Sequence, residues 1–376
     1  TRGRLRPMPR TLMGVPLDTK ALAETGVLSK AGLARVALDT VLPATHLDGQ
    51  DVSVGWLGEE RFGREVVDRL VEPLLGGVYA GHARELSARA AVPQVVALLD
   101  RDRSLMRAAA AVSVPASDVP VFAGLAGGLG TLPPAVVAAH DLDVRTDATV
   151  RELARSADGG FNLVVGATVD PEVLHADAVV LATPAAPTAR LLSEVVPRAA
   201  LELARIEYAS MAIVTLAFRV RDVPATTGSG FLVPPVDGRA VKASTFSFAK
   251  WDWVRAAGDG PDPLLVLRCS IGRHREEAAL QRPDEELVGI ALHDLADAIG
   301  LCVRPVDSHV QRWGGGLPQY AVGHLERVAH VRRAVAGVPG LAVCGAAYDG
   351  LGIPACIAGA GAAATQVLAA LPGRGQ

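Results

Sequence analysis

The most regular hydrophobic pattern in the first third of the chain is helical. Its apolar residues recur at four-residue steps: Phe62, Val66, Leu70 and Leu74. Charged residues fill the positions between them, so one face of the helix is apolar and the opposite face is polar. Gly76 and Gly77 follow, and glycine commonly stands just after the last turn of a helix. The pattern therefore predicts a helix that ends at these two glycines.

Short apolar runs in the second half of the chain predict β-strands. The runs cover residues 144–153, 161–165, 178–182, 211–220, 230–233, 243–248, 264–271 and 308–313. The first two flank a turn at Asp158-Gly159-Gly160 and are typical of a β-hairpin. Residues 178–182 are apolar throughout, which favours a strand of a parallel sheet that is buried on both faces. Between the last two strands, helical periodicity begins near Asp284 and ends at Gly300.

The last segment of the chain predicts a strand, a glycine loop and a helix in direct succession. The strand covers 341–344, the loop runs from Gly345 to Gly352, and Pro354 stands where a helix to about Leu371 begins. The free N–H groups and the helix dipole at such a corner favour anions. No G-x-G-x-x-G phosphate motif is present, and the glycines of 124–130 do not have its spacing.

Composition narrows the class of protein. The 376 residues suggest two or three structural units, and half of them are hydrophobic, with a mean hydropathy of +0.29. A net charge of −3 argues against nucleic acid as the main partner. The four cysteines form no C-x-x-C pair and the nine histidines no metal pair, so free thiols in a reducing cytoplasm and no metal site are expected. We find no apolar run of 18 residues and expect no transmembrane helix.

Five segments, in order along nearly the whole chain, resemble the flavin-dependent porphyrinogen oxidases, which comprise protoporphyrinogen oxidase and coproporphyrinogen III oxidase. They are residues 5–16 (LRPMPRTLMGVP), 61–81 (RFGREVVDRLVEPLLGGVYAG), 121–130 (VFAGLAGGLG), 317–324 (LPQYAVGH) and 344–357 (CGAAYDGLGIPACI). The sequences of these segments most resemble the coproporphyrinogen III oxidases of the Gram-positive, actinobacterial type. The family begins with a G-x-G-x-x-G segment that cradles the FAD pyrophosphate, and these residues do not contain it. We therefore expect further residues upstream in the gene product.

The resemblance implies an α/β (α+β) fold with an FAD-binding domain of the flavin amine oxidase and p-hydroxybenzoate hydroxylase type. It predicts the following division: 1–14 as a strand and loop, 15–120 as a helical domain at the mouth of the active site, 121–185 with 326–376 as the discontinuous FAD-binding domain, and 186–325 as an antiparallel substrate-binding domain.

For FAD, the resemblance implies backbone contacts. Val150 matches the valine that pairs with the adenine in the family. The other implied contacts, to the pyrophosphate and flavin ring, are Gly345, Ala346, Leu351, Gly352 and Ile353. Because the flavin performs the redox chemistry, no side chain is predicted to be catalytic by itself.

For the substrate, the resemblance implies a flat tetrapyrrole held over the flavin between apolar walls. The implied contacts are Gly77, Tyr79, Leu232 and Cys269, the last of which replaces a larger apolar side chain. Gly77 could equally be a helix cap and Tyr79 a core residue. Propionates call for an arginine, and Arg10, Arg6 and Arg273 are alternative candidates, since Met13 occupies the position of the eukaryotic arginine.

The activity implied is the FAD- and O₂-dependent, six-electron oxidation of coproporphyrinogen III to coproporphyrin III in haem biosynthesis. Protoporphyrinogen IX is the close alternative substrate. Two other classes stay open: a different flavin enzyme, such as an amine oxidase or carotenoid desaturase, and a non-catalytic tetrapyrrole-binding module. The expected location is the cytoplasm; a weak membrane contact and a downstream ferrochelatase are left open as partners.

Overall fold

The structure is a computed structural model that describes residue 1, residues 3–112 and residues 123–371. The predicted domain boundary at 120 and 121 lies outside these residues. The helices are α1 (Thr19–Thr25), α2 (Lys30–Ala37), α3 (Val54–Phe62), α4 (Arg64–Val66), α5 (Glu72–Tyr79), α6 (Ala88–Ala91), α7 (Pro93–Val96), α8 (Leu105–Val112), α9 (Leu132–His140), α10 (Ala185–Leu192), α11 (Pro197–Leu203), α12 (Ser247–Lys250), α13 (Asp252–Ala257), α14 (Asp284–Ile299), α15 (His324–Ala336) and α16 (Ile353–Ala370). The strands are β1 (Thr11–Leu12), β2 (Val15–Pro16), β3 (Val150–Arg155), β4 (Phe161–Ala167), β5 (Asp170–Ala176), β6 (Val179–Leu181), β7 (Tyr208–Arg219), β8 (Gly230–Leu232), β9 (Val241–Thr245), β10 (Leu264–Ile271), β11 (Asp307–Pro318) and β12 (Leu341–Val343).

These elements form two compact units. Unit 1 consists of Thr1–Leu132 and Tyr208–Leu317, and unit 2 consists of Pro133–Glu207 and Pro318–Gln376. Most of the predicted helical segment and most of the predicted antiparallel segment therefore belong to one unit. Residues 186–207, which the sequence analysis grouped with the substrate domain, belong to unit 2. The division into functional domains stays a prediction.

The helix predicted from the pattern at 62–74 runs further than its glycines indicate. A π-helical turn, Val67–Val71, joins α4 to α5, and α5 continues through Gly76 and Gly77 to Tyr79. The residue that ends it is Ala80, in the left-handed conformation with φ 49°, and its N–H donates to the carbonyl of Gly76. The predicted end at the glycines is wrong because Leu75 and Tyr79 are both buried, so the additional turn buries more apolar surface.

An ion pair lies at the centre of the helical part of unit 1. Arg61 and Asp39 are 2% and 0% exposed. The Arg61 guanidinium also donates to the backbone carbonyls of Pro43 and Arg103, and the Asp39 carboxylate accepts from the Ser104 hydroxyl. A buried charge pair is tolerated when its remaining hydrogen-bonding capacity is satisfied. These bonds tie together segments that are far apart in sequence.

The other part of unit 1 is a five-stranded sheet in the order β11-β7-β10-β9-β8, and the pairs β7-β10, β10-β9 and β9-β8 are antiparallel. One face is the core. Its buried residues include Val214, Leu216 and Phe218 of β7, and they cluster with residues of α14 such as Leu287 and Leu295. We call the opposite surface of strands β7 to β10 the open face. It consists of Ile213, Thr215, Ala217, Gly230, Leu232, Ala243, Thr245, Val266, Arg268 and Ser270.

Unit 2 contains a parallel pair of strands, β6 and β12, in register from Leu341–Val179 to Val343–Leu181. Helices α15 and α16 both pack on β12. The predicted hairpin is confirmed as β3 and β4, but its first strand begins at Val150 rather than at 144. It is extended by β5, which the pattern did not indicate. The predicted succession of strand, glycine loop and helix at the end of the chain is also confirmed.

Candidate functional site: a glycine corner and an open sheet face

The glycine corner of unit 2 has the geometry of an anion-binding site. It extends from Gly345, directly beyond β12, to the first turn of α16 at Ile353. Gly352 is the N-cap, no side chain caps this end of the 18-residue helix among the described residues, and its first turn carries no acidic residue. The N–H groups of this turn and the positive end of the helix dipole are therefore available to a negatively charged group.

Backbone conformation explains why glycines form this corner. Gly345 has φ 118° and Gly350 has φ 146°, a region that L-residues with side chains rarely adopt. A Cβ at Gly350 would lie 2.9 Å from the Cβ of Ala355 in the first turn of α16. A side chain would therefore disturb the surface that a close-fitting ligand needs. The predicted cofactor contacts Gly345, Ala346, Leu351, Gly352 and Ile353 all lie along this corner, and their geometry fits the phosphate and flavin groups of FAD.

A buried tyrosine, Tyr320, holds the corner in place. The hydroxyl of Tyr320 donates to the carbonyl of Ala346 at 2.7 Å. Its ring stacks on that of His324, with ring centroids 4.0 Å apart. Both residues belong to the 317–324 segment of the resemblance, which was the signal for them.

The remaining predicted FAD contact lies on another sheet of unit 2. Val150 is the first residue of β3 and pairs with Val165 of β4. The carbonyl of Val150 accepts a hydrogen bond of 3.1 Å from Arg190 of α10, which also donates to the carbonyl of Arg151. Sequence analysis did not single out Arg190, because nothing in the sequence pairs a helix arginine with backbone carbonyls 39 and 40 residues away. Arg190 fixes the backbone at the predicted adenine contact.

In unit 1, two predicted substrate contacts meet. A Cβ built on Gly77 would lie 3.8 Å from Cδ2 of Leu232, so α5 passes close to β8 without a side chain between them. Gly77 is exposed and Leu232 is half-buried. Together they form a small apolar surface at the edge of the open face, suited to contact with one face of a flat ring. Their contact with substrate stays a prediction.

The structure places Cys269 on the other face of the sheet from Leu232. Cys269 pairs with Ser244 and is fully buried in the core, and burial raises the pKa of its thiol to about 12. Ser270, one residue further, pairs with Ala243, which in turn pairs with Leu232. Because side chains alternate between the faces of a strand, Ser270 rather than Cys269 shares the open face with Leu232. Cys269 is therefore not on the surface that Gly77 and Leu232 form.

The other two predicted contacts are Tyr79 and Arg10. Tyr79 follows Gly77 by two helical positions, a rotation of about 200°, and it is buried in the core, where desolvation raises the pKa of its phenol. Tyr79 therefore packs as a core residue, the alternative named in the sequence analysis. Arg10 is exposed in the segment just before β1, and its role in binding propionate stays a prediction.

Two buried cations lie beside the sheet near the end of β10. Lys242 is 3% exposed and its Nζ donates to the carbonyl of Gly272 at 2.8 Å. Burial, followed by the neighbouring charge of Arg273, lowers the pKa of Lys242 to about 7, while Glu276 opposes the shift. Arg273 is also buried and lies 3.6 Å from Glu276. As a buried, paired residue, Arg273 is a poorer candidate for binding a propionate than an exposed arginine.

The low pKa of Lys242 predicts a pH-dependent stability. An unfolded lysine has a pKa of about 10.4, so between about pH 7 and pH 10 the unfolded chain binds more protons at this residue than the folded chain. The free energy of unfolding should therefore gain from this residue as pH rises through that range. Urea denaturation at several pH values should show a smaller rise in Lys242→Met than in the unsubstituted protein. Equal slopes would contradict the prediction.

The glycine corner is typical of proteins that hold the phosphates of a nucleotide cofactor at a helix N-terminus. The sequence model of flavin containing amine oxidoreductases matches residues 4–368. The chain belongs to this family, is an oxidase, and uses FAD as its cofactor. The predicted FAD contacts along the corner from Gly345 to Ile353 stay a prediction, and the geometry of the corner is compatible with them.

Individual relatives are similar over nearly the whole chain. A coproporphyrinogen III oxidase of Mycobacterium tuberculosis is 38% identical over 379 residues, which cover 98% of this chain and 77% of that protein. One of Bacillus subtilis is 32% identical over 94% of this chain and 75% of its own length. The solved structure named "Putative protoporphyrinogen oxidase" from Exiguobacterium sp. 255-15 has a TM-score of 0.81 and 30% identity, covering 98% of this chain and 78% of that one.

One helix is long and apolar enough to cross a membrane, by length and composition only. The 18 residues of α16 include no charged side chain, and 11% of them are buried. Thr365 and Gln366 interrupt its apolar sequence, so the helix is not a continuous apolar run of 18 residues. A single helix of this kind does not define a membrane span, and the expectation of no transmembrane helix stands as a prediction.

Proposed function

We propose that this protein oxidises coproporphyrinogen III to coproporphyrin III. The observation that carries the proposal is the intact glycine corner, with an uncapped helix N-terminus, in a chain that also presents the apolar surface of Gly77 and Leu232. The similarity to coproporphyrinogen III oxidases over 98% of the chain supports this substrate.

The reaction removes six electrons and six protons from the macrocycle in three two-electron steps. With three molecules of O₂ as the final acceptor, the products are coproporphyrin III and three molecules of H₂O₂. FAD, when bound, supplies the acceptor for each pair of electrons. The protein has to hold the macrocycle in a fixed orientation, keep water away and stabilise negative charge beside the flavin.

Different residues of the chain would perform these three tasks. The N–H groups at the start of α16 stabilise negative charge on the cofactor. Tyr320 fixes the corner through the Ala346 carbonyl, and Arg190 fixes the Val150 backbone. Leu232 and Gly77 give the ring an apolar surface to rest on.

The test is turnover of both porphyrinogens by the purified, FAD-loaded protein. We expect fluorescence of coproporphyrin III to grow as H₂O₂ forms, in a ratio of three H₂O₂ to one porphyrin, and kcat/KM to be higher for coproporphyrinogen III than for protoporphyrinogen IX. A higher kcat/KM for protoporphyrinogen IX would mean that protoporphyrinogen IX, and not coproporphyrinogen III, is the preferred substrate. Turnover of neither, in a protein with a full flavin spectrum, would contradict the proposal.

Two other classes of protein would give different experimental results. A non-catalytic tetrapyrrole-binding module would show a porphyrin band and no flavin bands. An amine oxidase would form H₂O₂ from amines and not from porphyrinogens. We further propose a cytoplasmic location, with O₂ as oxidant and a ferrochelatase as the consumer of the product; cell fractionation tests the location.

A further inference from the structure

The open face of the unit 1 sheet carries one cation that no other described residue neutralises. Arg268, on β10, is exposed, and its guanidinium makes no hydrogen bond or ion pair among the described residues. By contrast, Arg219 at the end of β7 is paired with Asp262, the Nε and Oδ2 atoms being 2.6 Å apart. An unpaired arginine on a folded sheet is free to bind an anion from outside.

The surroundings of Arg268 suit a ligand that is partly apolar. Its direct partners across the sheet are Thr215 and Thr245, and the residues of the open face in the described strands β7 to β10 include no Asp or Glu. Ser270 lies two residues further along β10, and its hydroxyl is buried and makes no hydrogen bond among the described residues. Arg268 and Ser270 are the only polar side chains that β10 presents on the open face. They are neighbours on that face, and neither has a hydrogen-bonding partner among the described residues.

The register relates Arg268 to the apolar surface. Thr245 of β9 pairs with both Arg268 and Gly230, and Gly230 lies two residues before Leu232 on β8. Two strand spacings and a two-residue step place the backbones of Arg268 and Leu232 about 12 Å apart. A tetrapyrrole that rests on Leu232 can extend a propionate arm over this distance along the same face.

We propose that Arg268 binds a propionate carboxylate of the tetrapyrrole and thereby favours the substrate with more propionates. This inference rests on the proposed function. Arginine is suited to the task because its planar guanidinium can donate two parallel hydrogen bonds to a carboxylate. The sequence analysis overlooked Arg268 because strand alternation had to be known before the residue could be placed on the Leu232 face.

The experiment compares Arg268→Gln, Arg268→Lys and a control, Arg304→Gln, in the FAD-loaded protein. Arg304 is an exposed arginine in the segment between α14 and β11. With coproporphyrinogen III, Arg268→Gln should raise KM about 10- to 100-fold, the range for loss of a charged hydrogen-bonding partner, with little change in kcat. Arg268→Lys should recover part of the loss, and Arg304→Gln should behave like the unsubstituted protein.

A binding measurement separates this inference from the proposed function. The dissociation constants of coproporphyrin III and of its tetramethyl ester are measured by fluorescence in the same detergent. Arg268→Gln should weaken binding of the acid and leave that of the ester unchanged. An equal effect on both, or on neither, overturns the role of Arg268 whether or not the protein turns over porphyrinogens. Failure of the unsubstituted protein to oxidise coproporphyrinogen III overturns the proposed function alone.

Discussion

Replacing Gly345 with alanine is expected to leave the protein folded but to remove most of its bound FAD. Gly345 has φ 118°, and strain of this kind costs about 1–3 kcal/mol when a side chain is forced to adopt it. The corner can relieve that strain only by moving the backbone that contacts the cofactor. The affinity for FAD should therefore fall about tenfold or more, since each 1.4 kcal/mol corresponds to a factor of about ten.

The measurement is the flavin-to-protein ratio of the purified variant, followed by titration of the apoprotein with FAD. Gly361→Ala is the matched control because Gly361 lies inside α16, where an added Cβ meets nothing within 4 Å. This control should retain its flavin and gain stability, as alanine does over glycine in a helix. If Gly345→Ala binds FAD as tightly as the control, the corner is not the cofactor contact.

The substitution Arg61→Met should have the largest effect on stability. It would leave the fully buried Asp39 carboxylate without its cationic partner, and removing one member of a buried pair costs about 3–5 kcal/mol. Segments that Arg61 joins, including those at Pro43 and Arg103, would also lose their bonds. The midpoint of urea denaturation should fall sharply, as measured by circular dichroism.

The matched control is Arg64→Met on the neighbouring helix. Arg64 is 81% exposed and pairs with Asp68 at 3.3 Å, and such surface pairs contribute about 0–1 kcal/mol. Its denaturation curve should nearly coincide with that of the unsubstituted protein. Similar midpoints for Arg61→Met and Arg64→Met would mean that the buried pair does not stabilise the fold.

Local patterns in the sequence predicted those elements whose signals are local. The strand, glycine loop and helix from Leu341 to Ala370 follow from apolar runs and glycine spacing, and α14 follows from its periodicity and Gly300. The helical pattern at 62–74 predicted the helix but placed its end too early. Glycines predict the end of a helix only when the residues that follow them are not buried. The burial of Tyr79 depends on tertiary packing, which the local pattern does not show.

The candidate site was predicted in part. The backbone contacts of the corner follow its glycines, which the sequence shows directly. The sequence did not predict residues that act through distant partners. Arg190 hydrogen-bonds to β3 from another element, and Tyr320 hydrogen-bonds to Ala346, 26 residues away. The faces of Cys269, Ser270 and Arg268 depend on strand register. A shift of one residue reverses a face, so a carried-over alignment can place a residue on the wrong side of the sheet.

The π-helical turn at Val67–Val71 also sets the direction in which the side chains of α5 point around the helix axis. A turn closed by i→i+5 bonds holds an extra residue, and a single residue corresponds to about 100° around an α-helix. Had the helix been regular, Gly77 would point about a quarter-turn away from Leu232. The close approach of the α5 backbone to β8 at Gly77 therefore depends on a winding irregularity that lies earlier in the same helix.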